Sequence, residues 1–110
     1  MSTQFWEQVN EYRANIYIGA GNKQAFLFLK SDNYNMYFTF YSEGLDLPAD
    51  EHAVIGGRQH FYLNFHDRDY TKMLDLLRNE KPVYFFYRTD AGFGYLTTSI
   101  EPVGEEENRP

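Results

Sequence analysis

The sequence predicts an α+β domain: a mainly antiparallel, strongly curved sheet of five or six strands, open or barrel-like, with an N-terminal helix and one helix between strands four and five. Three observations predict it. Ten tyrosines and ten phenylalanines in 110 residues fall mostly in short alternating runs, such as Phe26-Leu27-Phe28 and Phe61-Tyr62-Leu63-Asn64-Phe65. Aromatic and β-branched side chains suit a pleated, half-buried surface. Two stretches depart from that alternation: Phe5, Val9 and Tyr12 recur near helical spacing, as do Tyr70, Met73, Leu74 and Leu77. Turn-forming residues separate the runs at 19–22, 31–33, 56–57 and 89–92.

Taken in order, residues 2–13 read as an amphipathic helix, capped by Ser2 or Thr3 and laid on the sheet by its aromatic stripe. Residues 15–18, 24–30 and 34–41 then form an antiparallel meander. The second of these strands is apolar on both faces, with Phe26 and Phe28 against Ala25, Leu27 and Leu29, which suggests cover on both sides. Residues 42–57 are the longest irregular stretch, acidic and carrying Pro48 and Gly56-Gly57. The fourth strand, 58–66, has a core face of Gln59, Phe61, Leu63 and Phe65; Arg58, His60, Tyr62, Asn64 and His66 face the other way. Asp67 or Asp69 caps the second helix, which runs to about Asn79 and stops before Pro82. Strands at 83–88 and 93–100 close the domain, and the stretch between strands four and five is long enough for a parallel crossover. Residues 1–104 are one domain, and 105–110 a disordered acidic tail.

The net charge is −6, from 16 acidic and 10 basic residues, with the basic ones scattered singly. That makes a nucleic-acid partner unlikely and favours a protein partner with a basic surface. With no cysteine there is no disulfide or thiolate chemistry. No apolar run approaches the roughly 18 residues of a membrane span, and residues 1–7 do not resemble a signal peptide, so no membrane role and a cytoplasmic location are expected.

The side chains that carry chemistry have ordinary structural explanations. His60 and His66 lie six residues apart on one strand face, roughly 20 Å, too far for one ion unless His52 and Asp67 or Asp69 converge on one of them. Ser31, Ser42 and Ser99 occupy no nucleophile elbow. Gly19-Ala20-Gly21 and Gly56-Gly57 open strands rather than helices and are read as turns, not phosphate cradles. No catalytic residue, metal or cofactor is expected.

The strongest signal is an aromatic second face. Tyr37, Thr39 and Tyr41 share a parity, as do Arg58, His60, Tyr62, Asn64 and His66. If the two strands are neighbours, these rows form a patch of rings and hydrogen-bonding groups of the kind enriched at binding hot spots. Cover by the first helix or the long loop, a protein-binding or self-associating surface, and base stacking are the competing uses of that face. The expectation is a small acidic non-enzymatic binding protein acting through protein–protein interaction, of the inhibitor, immunity, chaperone or anti-defence type. Its candidate site residues are Tyr37, Tyr41, Arg58, His60, Tyr62 and His66, with Glu43, Asp46, Asp50 and Glu51 as the electrostatic contribution, and a homodimer is possible. The alternative is a sensor that holds a small ligand or nucleotide in the cavity of the curved sheet.

Overall fold

The computed structural model describes residues 3–19, 21–90 and 92–98. Eight strands and one helix follow in the order β1 (Gln4–Gln8), β2 (Glu11–Ile16), β3 (Lys23–Lys30), β4 (Tyr34–Tyr41), β5 (Glu51–Ile55), β6 (Arg58–His66), α1 (Tyr70–Asn79, entered through a 3₁₀ turn at Asp67–Asp69), β7 (Val83–Arg88) and β8 (Phe93–Thr98). They make two sheets, a three-stranded one ordered β1-β7-β8 and a five-stranded one ordered β2-β3-β4-β6-β5.

This overturns the single curved sheet with an N-terminal helix and a helix between strands four and five; the helix lies between β6 and β7. The architecture is mostly β, in two sheets with no closed barrel and one helix among the described residues. Residues 4–8 are a strand because they pair with β7, Phe5 opposite Tyr87 and Trp6 opposite Phe86. The apparent helical spacing has a physical origin. Phe5 and Val9 share one strand parity and point inward; the chain then changes sheets. Val9 N–H bonds Val83 O in the small sheet, and Asn10 N–H bonds Lys30 O in the large one, each at 2.8 Å. Such a bend is how a strand turns the corner between two packed sheets. It also flips the parity, so that Tyr12, three residues on, lies opposite the buried Leu29.

The 42–57 stretch contains a strand that the sequence reading missed. β5 pairs antiparallel with β6 through the two-residue turn Gly56-Gly57, whose φ angles of 60° and 80° are those of a hairpin that twists with its strands. With β5 outermost, β4 and β6 become parallel neighbours, Tyr37 opposite Tyr62 and Tyr41 opposite His66. The parallel connection therefore runs through 42–57, whereas α1 carries the chain from the large sheet to the small one.

The core lies between the sheets: Ala25, Leu27 and Leu29 of β3, Met36, Phe38 and Phe40 of β4, Phe61 and Leu63 of β6, Phe85 and Tyr87 of β7, all buried. α1 closes one end with the expected stripe, Tyr70, Met73, Leu74 and Leu77 packing on this core. Asp69 is its N-cap residue, but the carboxylate makes no capping hydrogen bond and instead lies 4.0 Å from Lys72. Gly94 of β8 is required by close approach: a Cβ there would sit 2.7 Å from Phe86 O and 3.0 Å from a Leu63 methyl. The outer face of β3 carries half-buried Phe26 and Phe28, not the covered apolar face that its sequence suggests. The strand end at 99–100, the cap Ser2 and the tail 105–110 lie outside the described residues.

One polar network joins the sheets. The Glu7 carboxylate, on the inner side of β1, accepts from Ser31 Oγ, from Asn33 N at 2.8 Å and from Asn33 Nδ2 at 2.7 Å. Desolvation alone would raise this carboxyl; the hydrogen bonds and the nearby Arg58 charge together outweigh it and hold the group below its ordinary value of 4.5. A depressed folded-state pKa contributes stability above the unfolded value, and that contribution disappears as the pH falls through the folded one. Glu7→Gln is therefore expected to cost about 1–2 kcal/mol at pH 7. The gap between variant and wild type should narrow as the pH falls below 4.5, as read by urea unfolding across a pH series.

Candidate functional site

Each sheet carries aromatic side chains on its outer face. On the five-stranded sheet the pairing β3-β4-β6 aligns Phe28, Tyr37 and Tyr62 in one row, with His60 beside them. Tyr37 and Tyr62 stack face to face, 4.7 Å apart and within 8° of parallel. Tyr37 Oη lies 3.1 Å from His60 Nδ1, and Asn35 Nδ2 donates to the same hydroxyl at 3.4 Å.

The structure thus brings together three of the six expected side chains, Tyr37, His60 and Tyr62, and gives two of the others, Arg58 and His66, structural work. Arg58 grips the β3–β4 turn: Nε donates to Asn35 Oδ1 at 2.7 Å, Nη1 to Asp32 O at 2.8 Å, and Nη2 to Ser31 O and Tyr34 O at 2.6 and 3.1 Å. His66 Nε2 lies 2.7 Å from Leu45 O, pinning the acidic loop, and Tyr41 stands beside it in the β4–β6 pairing. Asn64 Nδ2 donates to Pro48 O and Ala49 O at 3.2 Å each, so the loop crosses this end of the face.

The acidic residues divide in the same way. Glu43 pairs with Arg68 at 3.3 Å. Asp50 accepts from the backbone amide of Asn64 at 2.9 Å. Burial raises the Asp50 carboxyl above its ordinary range, against the opposing pull of the bonds from Asn64, which suits an anchor for the loop. Glu51 is exposed opposite Tyr62, and Asp46 is exposed on the loop.

The second surface went unread in the sequence. On the outer face of the three-stranded sheet, Trp6 stacks on Tyr84, 5.2 Å apart and within 16° of parallel, and meets the edge of Phe86 at 5.9 Å. Phe86 adjoins Tyr95 at 4.9 Å, and Tyr95 adjoins Phe93 at 6.2 Å. Trp6, Phe93 and Tyr95 are 51%, 47% and 42% exposed. Gln4, Gln8, Arg88 and Thr97 rim the five rings by their places in the same pairing, with Arg88 held by Asp90 at 2.8 Å. The signal was present in the alternation of Tyr84, Phe86 and Arg88 and of Phe93 and Tyr95, but Trp6 was assigned to a helix.

Each patch contains stacked pairs, Tyr37 on Tyr62 in one and Trp6 on Tyr84 in the other, beside tilted and edge-to-face ones. Side chains stand roughly upright on a sheet, so mutually stacked rings present their edges and hydroxyls outward rather than their faces. The histidines do not converge: His52 lies on the inner side, stacked on Phe61 at 4.7 Å, while His60 and His66 lie on the outer side. Among the described residues no three His, Asp or Glu side chains gather as a metal would need. Ser31 is buried and bonded to Glu7, Ser42 Oγ accepts from Gln24 Nε2 at 2.9 Å, and Ser99 lies outside the described residues. Rings fill the space between the sheets, and an open groove of about 390 Å³ lies between the β1–β2 bend and the end of α1. No helix among the described residues is long and apolar enough to cross a membrane. No family model, no curated protein and no solved structure matches this chain.

Proposed function

We propose that this chain is a small acidic binding protein, without catalytic activity of its own, that docks a protein partner on the outer face of its three-stranded sheet. The observation that carries this reading is the contiguous cluster Trp6, Tyr84, Phe86, Phe93 and Tyr95, three of whose rings stand about half exposed. Soluble chains seldom leave so large an apolar patch bare without a use for it. Trp and Tyr carry a disproportionate share of protein–protein binding energy, because they bury area at little entropic cost and keep a polar handle. The edge-outward rings favour a protein over a nucleobase, which needs a free ring face to stack on. The −6 charge favours a partner with a basic surface. The Tyr37–Tyr62–His60 row is the smaller surface, partly occupied by the loop at its His66 end.

Native mass spectrometry of the protein recovered gently from cells of its own kind is expected to show an added protein mass. Trp6→Ala should weaken that complex about 30-fold, the effect of a hot spot worth roughly 2 kcal/mol. It should leave the melting temperature within a few degrees, because its ring is half exposed. Retention of the partner by Trp6→Ala, with loss in Tyr62→Ala, would move the site to the five-stranded sheet. Recovery of the bare chain alone, or an added mass of small-molecule size, would overturn the reading.

A further inference from the structure

We infer that this protein associates with a second copy of itself through the free edge of β2, joining two five-stranded sheets into one of ten strands about a two-fold axis at Ala14. β2 is a sheet edge, and among the described strands it is the one whose every residue is exposed. Among the described residues its inward row, Tyr12, Ala14 and Ile16, pairs with Leu29, Leu27 and Ala25 of β3 and stays exposed, an overhang that Tyr12 begins to close by lining a groove with Leu77 of α1. Tyr12 and Ile16 are 38% and 63% exposed. Exposed strand edges are a standing template for pairing, and proteins that stay monomeric blunt them with proline, bulges or inward-pointing charge. β2 has none of these: its pairing with β3 runs without a shift, and its two charges, Glu11 and Arg13, lie on the outer face.

The hydrogen-bonding direction follows from one observed bond. Tyr17 N–H donates to Gln24 O at 3.0 Å, so residue 17 faces β3. In an antiparallel ladder this direction alternates, so the odd residues of β2 bond β3, while Tyr12, Ala14 and Ile16 point their N–H and C=O groups at the free edge. A two-fold copy must pair even residues with even ones to keep both inner faces on the same side. Four registers overlap three or more residues of β2, and the one centred on Asn15 keeps only residues 14–16. Centring on Tyr12 overlaps only three residues of β2 before the chain bends into the other sheet at Val9-Asn10. Centring on Arg13 sets two like charges directly opposite each other. Centring on Ala14 pairs Tyr12 with Ile16 of the copy, Arg13 with Asn15, and Ala14 with itself. That register uses all the outward groups and joins the two overhangs into one apolar strip of Tyr12, Ala14 and Ile16 from each chain. It leaves both aromatic outer faces open, so it stands independently of the proposed partner surface.

The test is sedimentation equilibrium of the purified chain over a wide concentration range, with hydrogen exchange at both ends of it. A dimer of twice the 13.0 kDa chain is expected. The amides of Tyr12, Ala14 and Ile16 should be protected in concentrated solution and exchange freely in dilute, while those of Arg13 and Asn15 stay protected in both. Ala14→Pro removes an outward donor without touching the β3 ladder, and Ile16→Lys places a charge opposite Tyr12; each should raise the dimer midpoint at least tenfold. Ile16→Lys changes no backbone group, so it serves if the proline variant does not fold. A monomer at every concentration, or a dimer that both variants leave intact with the even amides still exchanging, overturns the inference.

Discussion

Arg58→Ala is expected to lower the unfolding free energy by about 3 kcal/mol, read as a fall in the urea midpoint at an unchanged slope. The guanidinium makes four hydrogen bonds to the β3–β4 turn, three of them to the backbone carbonyls of Ser31, Asp32 and Tyr34. Alanine removes all four bonds; Ser31 O loses a part-buried donor, whereas Tyr34 O keeps the Ser31 amide at 3.0 Å, and an unmade bond costs more than a made one contributes. Lysine should recover only part of the loss, since a single ammonium cannot span the fork that reaches Asn35 and Ser31 together. Glu7 grips the same turn from the other sheet through Ser31 and Asn33, so the Glu7/Arg58 double-mutant cycle should show a coupling of about 1 kcal/mol. An unchanged midpoint in Arg58→Ala would return this residue to the pool of partner contacts.

The strands with a single consistent parity were legible in the sequence. β3, β4 and β6 alternate without interruption, and their inward residues are the buried ones. The amphipathic stripe of α1 was equally plain, because Tyr70, Met73, Leu74 and Leu77 have one surface to cover. The first dozen residues misled for a reason internal to the fold: the sheet change at Val9-Asn10 flips the inward parity, so Phe5, Val9 and Tyr12 imitate a helical repeat. What decides for strand is the pairing of β1 with β7, about eighty residues away in the chain, and local spacing carries no trace of it. β5 was lost because five residues beside an acidic loop give too short a pattern, with both Val54 and Ile55 exposed.

The same cause explains the site. The Tyr37–Tyr62 row could be read because each residue belongs to a well-patterned strand and needs only those strands to be neighbours. The Trp6 cluster could not, since Trp6, its most exposed ring, stands on the strand taken for a helix. The contacts made by charged and polar members of the expected site were hidden for a different reason. A sequence shows that Arg58 and His66 share a face with Tyr62, but not that the turn at 31–34 and the carbonyl of Leu45 lie within reach and claim them. Polar groups near backbone acceptors are consumed by the fold first, and the aromatic rings, which have no such obligation, are what remains for a partner.

Phe61→Ala should be the most damaging single truncation, costing about 3–5 kcal/mol. The ring is fully buried and meets five others: Phe5 at 5.1 Å, Tyr34 at 5.2 Å, His52 at 4.7 Å, Phe85 at 5.0 Å and Tyr87 at 5.2 Å. Three of these, Phe5, Phe85 and Tyr87, come from the three-stranded sheet, so its removal opens a cavity at the seam rather than at a free surface. Edge-to-face and tilted ring pairs are worth about 0.5–1.5 kcal/mol beyond their area, so Phe61→Leu should still lose measurably although it keeps most of the apolar volume. Against a total stability of about 5–15 kcal/mol for a domain of this kind, the alanine variant stands close to the edge of folding. The decisive measurement is its combination with Phe85→Ala. The two rings share one space between the sheets, so the second truncation enlarges a cavity already opened, and the pair should depart from additivity by about 1 kcal/mol or more. Additive losses would mean that the two rings do not share a core, and the packing of one sheet on the other would fall with them.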